Sequence, residues 1–580
     1  MLDFIYSNDP SKITNIQSSL KYVSIEDTID YKIYSGKWGC LVVSGKAYTG
    51  FTPIENDQYI LVVLGGPLPR HDYSVANGDK EDDGTKWIFK KWKLDKNIRW
   101  DEDIVGHYAI ICIDKLNNKI EVVTDINSFI PIYYTFSRDN TNNIFISSHV
   151  DSLAYSSGKS ILFDEVSILD FIMYSTITYP YTIYRNIYEL GPSSLNTFIN
   201  GDNIYSYPYW EPYENEENDN YKSSVLKLRE ILISNVNRIC HNQNNVIILM
   251  SGGEDARAVS SIASKYTEVE GVSFLDSFNK EAKISNKIAY NIGYKWTMLK
   301  REKLHYLNNL HKSLKVISSS GFYYHAHSVG FQNNISSKFR VLGGYMADSW
   351  FKGYWINQNE TVNNYLYNDN VPNLLKEVYS RRNNSLNELK KYRPISWSEW
   401  VYLWPANQRR TLSHFTANRR LFQIYEPFID AEIVKLSSSI PQEWKINRKL
   451  FHAAMKPIFK ETKFIPHPKG FYPYYGKAVN NVIFTGKYIP KKFINIFNRI
   501  LNNSKRNQGS WSDWNYIINS EMFCRLYNTH INLIDTHYST ELKDIITNYI
   551  DNNNMGIKVK LLQVLIMTKQ STDYSLIDNE

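Results

Sequence analysis

The sequence predicts an α/β protein of two domains, a sheet-rich α+β domain followed by a doubly wound parallel sheet with a helical extension. Three observations lead to this prediction. A chain of 580 residues is too long for one hydrophobic core. Residues 1–210 read as strands separated by turns, whereas helical patterns alternate with short apolar strands from residue 221. We therefore predict domains at residues 1–210 and 221–580, joined by the polar linker Glu211–Asn220.

The composition indicates a globular protein and narrows the classes of partner. Hydrophobic residues make up 43% of the chain and charged residues 22%, which is typical of folded domains. The formal net charge is only +7 and no block of Lys and Arg stands out, so we expect no nucleic-acid partner. No apolar run approaches the roughly 18 residues of a membrane span, so we expect no membrane partner either.

Two further features indicate a cytoplasmic location. The N-terminal stretch lacks the basic and apolar regions of a signal peptide. The four cysteines lie far apart without metal-binding spacing, which favours a reducing compartment; they are Cys40, Cys112, Cys240 and Cys524.

Residues 1–210 predict an antiparallel sheet. Ile60–Leu64 and Tyr108–Ile113 are continuous apolar runs, and Lys119–Thr124 alternates. Gly, Pro, Asn and Asp gather between these runs, as expected of turns. These patterns describe a fold and indicate no activity.

The second domain predicts a parallel sheet. Ser223–Ile239 has helical spacing, Val246–Met250 and Val269–Phe274 are candidate strands, Glu281–Gly293 is a candidate helix, and Arg340–Leu342 leads into a turn. In such sheets, ligands bind at the carboxyl ends of the strands.

The stretch Val246–Arg257, VIILMSGGEDAR, predicts a nucleotide site. A buried strand ends at a Gly pair and helical spacing follows, so backbone N–H groups and a helix N-terminus point at one place, which suits a phosphate. A carboxylate beside a phosphate suggests Mg²⁺. We predict a nucleotide pyrophosphate on Ser251, Gly252 and Gly253, with Mg²⁺ on Asp255. On spacing alone, a plain tight turn remains the alternative.

This motif resembles the pyrophosphate loop of ATP pyrophosphatases, and LMSGGEDAR is similar to the loop of the asparagine synthetase family. The usual family form is SGGxDS, so Ala256 is a departure that loses one hydroxyl. The resemblance implies an ATP-pyrophosphatase fold for the second domain.

Gly106–Ala154 resembles the class II glutamine amidotransferase domain at the front of asparagine synthetases, which implies an Ntn-hydrolase-like fold. Glutaminase activity in that family depends on a cysteine directly after the initiator Met, assisted by its own amine. This chain has Leu2 there, and an internal Cys40 or Cys112 has no free α-amine. We therefore expect a degenerate domain that does not hydrolyse glutamine.

A second loop, VLGGYMADSWFKGYW (Val341–Trp355), is similar to the family stretch S-G-E-G-A-D-E-L-F-G-G-Y. The resemblance implies that Gly344 lies at the nucleotide and that Asp348 is a second Mg²⁺ carboxylate. Tyr345 replaces the family Glu, as in β-lactam and carbapenam synthetases, where a Tyr works with a Glu to deprotonate an amine. Glu377 is a candidate for that Glu, and a simple pocket wall is the alternative role for Tyr345.

Two further segments resemble the family. Glu426–Asp430, EPFID, is similar to its R-x-P-F-L-D hallmark, and an architectural role is expected. Ile465–Phe471 is similar to R-x-K-x-G-F, which implies that Lys469 stabilises the charge of the adenylated intermediate and the leaving pyrophosphate.

The resemblance implies an AMP-forming carbon–nitrogen ligase that uses ATP and Mg²⁺. Its partners would be a small-molecule or peptide carboxylate and an amine or ammonia, and a homodimer is left open. Two alternatives remain: intramolecular amide closure, as in β-lactam synthetases and lasso-peptide cyclases, and a catalytically silent binding or assembly subunit.

Overall fold

A computed structural model gives the architecture of the chain. It describes residues 1–577 apart from residue 27, 73–81, 137–142, 158–160, 200–202, 215–219, residue 320, 336–338, 357–370, 406–408, 483–508 and 549–553. The middle of the predicted linker, 215–219, lies outside the described residues.

The N-terminal part contains two six-stranded sheets whose paired strands run antiparallel. The first sheet has the order β12-β10-β11-β1-β3-β2, and the second has the order β14-β13-β9-β8-β5-β4. A short pair, β6 and β7, lies beside them. The strands are β1 Asp3–Ser7, β2 Tyr31–Gly36, β3 Gly39–Ser44, β4 Ile54–Glu55, β5 Tyr59–Gly65, β6 Leu68–Pro69, β7 Ile104–Val105, β8 Tyr108–Asp114, β9 Lys119–Thr124, β10 Tyr133–Phe136, β11 Ile144–Ser147, β12 Tyr188–Glu189, β13 Ser194–Ile199 and β14 Asn203–Pro208.

Side-chain alternation explains how these sheets pack. In β1, Phe4 and Tyr6 face the core shared with the second sheet, whereas Ile5 faces a separate core with Ile16 and Leu20. Successive strand residues point to opposite faces, so both faces of the first sheet are buried. The helices of this part are α1 Ile13–Val23, α2 Asp83–Phe89, α3 Val150–Ser157 and α4 Glu165–Tyr174.

The second part is built on a five-stranded parallel sheet with the order β17-β16-β15-β18-β19. The chain runs outward from β15 through β16 to β17 and then returns to β18 on the other side of β15. The strand order therefore reverses between β15 and β18, which is where doubly wound sheets bind ligands. The strands are β15 Asn245–Leu249, β16 Glu268–Leu275, β17 Lys295–Lys300, β18 Arg340–Leu342 and β19 Gln423–Tyr425.

Helices surround this sheet and continue to the C-terminus. The helices of the sheet domain are α5 Tyr221–Cys240, α6 Glu254–Ala263, α7 Lys280–Ile292, α8 His305–Asn308, α9 Leu310–Ile317, α10 Ala347–Phe351, α11 Asn373–Tyr392, α12 Trp397–Trp400, α13 Arg409–Leu421, α14 Ala431–Ser439, α15 Gln442–Lys445 and α16 Lys449–Met455. The extension contains α17 Trp514–Ile518, α18 Glu521–His530, α19 Leu533–His537, α20 Thr540–Asn548 and α21 Met555–Ile577. The fold class predicted from the sequence is confirmed, whereas the domain boundaries stay a prediction.

The helical extension packs against the first sheet's helices as well as against its own domain. Leu562 and Leu565 of α21 belong to the same buried cluster as Leu169 of α4 and Leu314 of α9. The Tyr22 hydroxyl donates to the Gln570 carbonyl over 2.8 Å. The extension therefore covers apolar surface of both parts of the chain. Among the described helices, none is long and apolar enough to cross a membrane.

A buried ion pair joins the two parts close to the parallel sheet. Arg70, which follows β6, lies 3.0 Å from Asp430, at the start of α14, and these side chains are only 4% and 1% exposed. Asp430 also accepts from the Glu432 N–H, which caps α14. Asp430 of the EPFID segment therefore has a structural contact with the N-terminal part.

We expect Arg70→Met to destabilise the protein by about 3–5 kcal/mol, because removal of the guanidinium leaves the Asp430 carboxylate buried without its main counter-charge. Thermal unfolding measures the effect. Arg99→Met is the control, since Arg99 is 64% exposed and pairs with Glu102 at the surface. Equal melting temperatures for the two variants would contradict the assignment.

Candidate active site

A cavity of about 430 Å³ lies where the strand order reverses. The loops that follow β15 and β18 form one side of it. Its lining residues are Leu249, Met250, Ser251, Asp255, Ala256, Val272, Ser273, Phe274, Leu275, Glu281, Arg301, His325, His327, Gly343, Gly344, Tyr345, Asp348, His414, Glu426, Ser510 and Trp511. The volume lies in the range typical of small-molecule sites.

The predicted pyrophosphate loop forms the turn between β15 and α6. The Gly252 N–H donates to Glu281 Oε1 over 2.7 Å, and the Gly253 N–H donates to Ser251 Oγ over 3.2 Å. A carboxylate therefore already lies on one predicted phosphate donor, which shows that this N–H can bind an anion. Burial raises the pKa of Glu281, in opposition to the hydrogen bond from Gly252.

Arg257 holds the loop against the segment that carries Lys469. Its guanidinium donates to the carbonyls of Gly252 over 3.2 Å, Ile465 over 2.9 Å and Pro466 over 3.1 Å. Arg257 is fully buried, so these bonds join the two backbones directly. Lys469 is exposed at the rim and lowers the pKa of Asp348 by its charge. The structure thus places Lys469 near the predicted metal carboxylates, although not among the residues that line the cavity.

Gly344 brings the two loops together. A Cβ at this position would lie 2.7 Å from Asp255 Cβ and 2.8 Å from the Ala256 nitrogen, closer than real Cβ atoms approach. Only glycine fits here without a shift of the backbone. Gly344 lines the cavity, as expected of a nucleotide-site residue, and it also sets the separation of the loops.

The carboxylates of Asp255 and Asp348 converge on one ammonium group. Lys352 Nζ contacts an oxygen of Asp255 and lies 2.6 Å from Asp348 Oδ1. Two carboxylates that reach one cation, beside a place for phosphate oxygens, are a suitable donor set for Mg²⁺. The two predicted metal residues are therefore brought together, and the sequence analysis did not foresee that Lys352 would lie between them.

The pKa values of Asp255 and Asp348 shift in opposite directions. Burial raises the pKa of Asp255 to about 7, in opposition to the Lys352 charge. Burial also acts to raise the pKa of Asp348, but the Lys352 charge outweighs it and the pKa falls below its ordinary value. At Asp255, burial together with the charges of Asp348 and Glu254 outweighs the ammonium, whereas at the more exposed Asp348 the ammonium outweighs burial.

Tyr345 and Glu426 form another part of the cavity wall. The Tyr345 N–H donates to Glu426 Oε2 over 2.9 Å, and the Tyr345 ring stacks on Phe415. Burial raises the pKa of Glu426 to about 8. Glu426, directly after β19, therefore lines the cavity as well as holding the Tyr345 backbone, and its architectural role stays a prediction.

Glu377 does not fill the role of a partner for Tyr345. It lies on α11, where it is 52% exposed and pairs with Arg381, and it is not among the residues that line the cavity. The acid beside Tyr345 is instead Glu426. No spacing rule in the sequence links these two residues, because they are separated by 81 positions.

Imidazole and aromatic side chains form the end of the cavity away from the phosphate loop. His325, His327, His414 and Trp511 lie there, and the His327 ring is 4.6 Å from the Trp511 ring. Burial lowers the pKa of His327 and of His414, so these imidazoles are neutral at pH 7. These residues were missed by the sequence analysis, since isolated histidines carry no motif.

Two family models match the chain. The model for a glutamine amidotransferase domain matches residues 97–210, and the model for asparagine synthase matches residues 227–474. Asparagine synthetase [glutamine-hydrolyzing] 3 of Bacillus subtilis (strain 168) is 22% identical over 447 residues, covering 67% of this chain and 72% of that protein. Residues 227–474 therefore match the asparagine synthase family and residues 97–210 match the glutamine amidotransferase domain family.

A solved structure is similar over part of the chain. This is the glutamine phosphoribosylpyrophosphate amidotransferase from B. subtilis, complexed with ADP and GMP, with 9% identity and a TM-score of 0.23. The match covers 51% of this chain and 65% of that one, slightly less than two thirds of its length.

The amidotransferase-like part has apolar packing at the position where the sequence resemblance implied a catalytic cysteine. Leu2 is 7% exposed and lies in the hydrophobic core. Burial raises the pKa of Cys40 and of Cys112 to about 12, so neither thiol ionises near neutral pH. Asp3, next to Leu2, lies 2.9 Å from Arg420, so this corner holds a contact between the two parts of the chain.

The stability of the protein should depend on pH through Glu426. Its folded pKa of about 8 exceeds the ordinary value of about 4.3, so its stabilising contribution is complete below pH 4 and is lost as the pH rises to about 8. Glu426→Gln should remove this loss, which amounts to at most about 1.4 kcal/mol per pH unit. Melting temperatures of both proteins between pH 4 and 9 measure it. A difference in melting temperature between the two proteins that does not change with pH would show that Glu426 ionises normally. Glu443→Gln is the control, since Glu443 is exposed.

Proposed function

We propose that the chain forms amide bonds with ATP through an acyl-adenylate of a substrate carboxylate. The observation that carries the proposal is the convergence of Asp255 and Asp348 at the reversal point of the parallel sheet, next to the Ser251–Gly253 turn. A turn that can bind phosphate and two carboxylates that reach one cation are the parts required for adenylyl transfer. The family assignment supports this class of activity.

Different residues around the turn would bind the pyrophosphate and the metal ion. Ser251, Gly252 and Gly253 would hold the pyrophosphate, and Asp255 and Asp348 would hold Mg²⁺ together with phosphate oxygens. Bound Mg²⁺ neutralises charge on the phosphates. Lys469, on a loop that Arg257 attaches to the turn, would stabilise the leaving pyrophosphate.

In the first step, an oxygen of the substrate carboxylate bonds to the α-phosphorus of ATP, and the bond from that phosphorus to the bridging oxygen breaks to release pyrophosphate. In the second step, the amine nitrogen bonds to the acyl carbon, and the bond from that carbon to the AMP oxygen breaks. The nitrogen loses a proton to a base in the cavity. Glu426, next to Tyr345, is placed for this role because its raised pKa matches the task of a base near neutral pH.

The cavity lining around Tyr345 supports an acyl acceptor that is larger than ammonia. Tyr345, His327, His414 and the Arg301 guanidinium line this part of the cavity, so it can donate and accept hydrogen bonds. The proposed partners are therefore a small-molecule or peptide carboxylate and an amine. Intramolecular closure is the second candidate, and Leu2 and Tyr345, which stand where a Cys and a Glu would favour ammonia, favour it. The mass of the product separates the two, since closure yields the substrate minus one water.

Exchange of labelled pyrophosphate into ATP, screened over a panel of carboxylates, tests the adenylation step. We expect exchange with at least one carboxylate, and Asp255→Ala should lower its rate about 100-fold or more because a carboxylate that holds the metal is lost. Asp535→Ala is the control, because Asp535 pairs with Lys543 at the surface.

Two results would count against the proposal. Exchange that survives Asp255→Ala would remove the metal assignment. No exchange with any carboxylate would favour a catalytically silent binding or assembly subunit.

We also propose that glutamine is not the nitrogen source, since Leu2 is buried apolar packing and the nearby thiols do not ionise. Incubation with glutamine, ATP and the active carboxylate should release no glutamate above the rate of a boiled sample. The B. subtilis relative, whose name specifies glutamine hydrolysis, is the positive control. Release at an enzymatic rate would contradict this part of the proposal.

A further inference from the structure

Lys352 lies at the point on which the predicted metal carboxylates converge. Its Nζ contacts Asp255, lies 2.6 Å from Asp348 Oδ1 and lies 3.7 Å from Glu254 Oε2. The side chain is only 8% exposed. Its ammonium also lies 4.6 Å from the centre of the Phe451 ring, a favourable cation–π distance. Lys352 is therefore held in place on several sides.

Lys352 differs from the residue found at the same position of the related loops. In the alignment with S-G-E-G-A-D-E-L-F-G-G-Y, Lys352 stands at the first glycine of the G-G pair. A glycine there has no side chain that could reach the carboxylates. This chain therefore places an additional cation in a site that already has Lys469 at its rim and Arg448 paired with Glu254.

The charges explain why an ammonium is stable at this point. Glu254 and Asp255 belong to the first turn of α6, and Asp348 belongs to α10 across the crevice. Carboxylates held this close repel one another unless a cation lies between them. The Lys352 ammonium meets this need, and a divalent ion would have to displace it to reach both carboxylates.

Asp348 is more exposed to solvent than Asp255, the other carboxylate that approaches Lys352 closely. Its side chain is 61% exposed, whereas that of Asp255 is 20% exposed. A phosphate group on the Ser251–Gly253 turn would lie beside these acids and would give the ammonium another anionic partner. The flexible four-carbon stem of a lysine allows such a change of partner, which a rigid guanidinium fork does less easily.

We propose that Lys352 is a tethered cation that occupies the metal position in the nucleotide-free protein, so that a divalent ion is admitted only together with the triphosphate. Lys352 then exchanges its carboxylate contacts for a phosphate oxygen. The inference rests on the proposed function, because it concerns the same nucleotide site. Its first half, exclusion of free metal, can be tested without any turnover.

The test measures binding of Mn²⁺ to nucleotide-free protein, through the loss of the electron paramagnetic resonance signal of free Mn²⁺. We expect Lys352→Met to bind one Mn²⁺ per chain about tenfold or more tightly than the wild type, because two carboxylates then lack a cation. Lys352→Arg, which keeps a cation, should bind as weakly as the wild type. Addition of Asp255→Asn to Lys352→Met should abolish the new site.

Binding of Mn²⁺ by the wild type as tight as by Lys352→Met would overturn the proposal. So would a Lys352→Met protein that gains no Mn²⁺ affinity. Should Lys352→Met fail to fold without metal, purification with Mn²⁺ should restore it, and Lys352→Gln provides a second neutral variant. If neither folds even with Mn²⁺, saturable binding of Mn²⁺ to the wild type without nucleotide would still refute exclusion, and its absence until ATP is added would support it.

Failure of this inference and failure of the proposed function give different results. The predicted Mn²⁺ pattern in a protein that shows no pyrophosphate exchange would refute adenylation and leave the role of Lys352 intact. Pyrophosphate exchange in a wild type that binds free Mn²⁺ tightly would refute the role of Lys352 alone.

Discussion

The contact of Gly344 with the start of α6 is the constraint on which the crevice depends. Because any Cβ at Gly344 would overlap Asp255 and the backbone of Ala256, the loops after β15 and β18 meet at backbone distance. Asp348, four residues beyond Gly344, is thereby brought close enough to Asp255 for one ammonium to touch both. A wider separation of the loops would leave two independent acids rather than one cation site.

Burial and the Lys352 charge together determine how the acids in the crevice behave. Burial acts to raise the pKa of Asp348 but the Lys352 charge outweighs it, whereas burial raises the pKa of Glu426 to about 8. The cavity lining therefore combines the carboxylates beside the Ser251–Gly253 turn with Glu426, the imidazoles and the Arg301 guanidinium. The raised pKa of Glu426 suits a base that works near neutral pH.

The N-terminal part acts as a support for the crevice in this structure. Phe129 packs edge-on against Tyr345, and the Tyr48 hydroxyl donates to the Phe422 carbonyl just before β19. Together with the buried pair of Arg70 and Asp430, these contacts hold the strand that carries Glu426. Retention of an amidotransferase-like domain without an ionisable thiol is thus consistent with a structural role in positioning the wall of the cavity.

Predictions from the sequence succeeded where the pattern lies within one continuous stretch of the chain. Val246–Met250 predicted a strand, and the structure has it at Asn245–Leu249, followed directly by the turn and by α6. The strands β18 and β19 are only three residues each, too short for an apolar pattern to identify them alone. Resemblance to related loops was needed to pair Asp348 with Asp255, and the same resemblance gave no indication that Glu426 lies beside Tyr345.

The sequence by itself determined the fold class and the strand, Gly-pair turn and helix that place Ser251–Gly253 beside Asp255, since these depend on apolar periodicity and on residues within one short stretch. Only the tertiary structure decided that Lys352 lies between Asp255 and Asp348, that Glu426 rather than Glu377 lies beside Tyr345, and that three histidines line the far end of the cavity. The physical reason is that charge pairing and burial depend on distances in space. Those distances are set by the packing of the loops at Gly344 and by the parallel sheet, which brings together residues that are far apart along the chain.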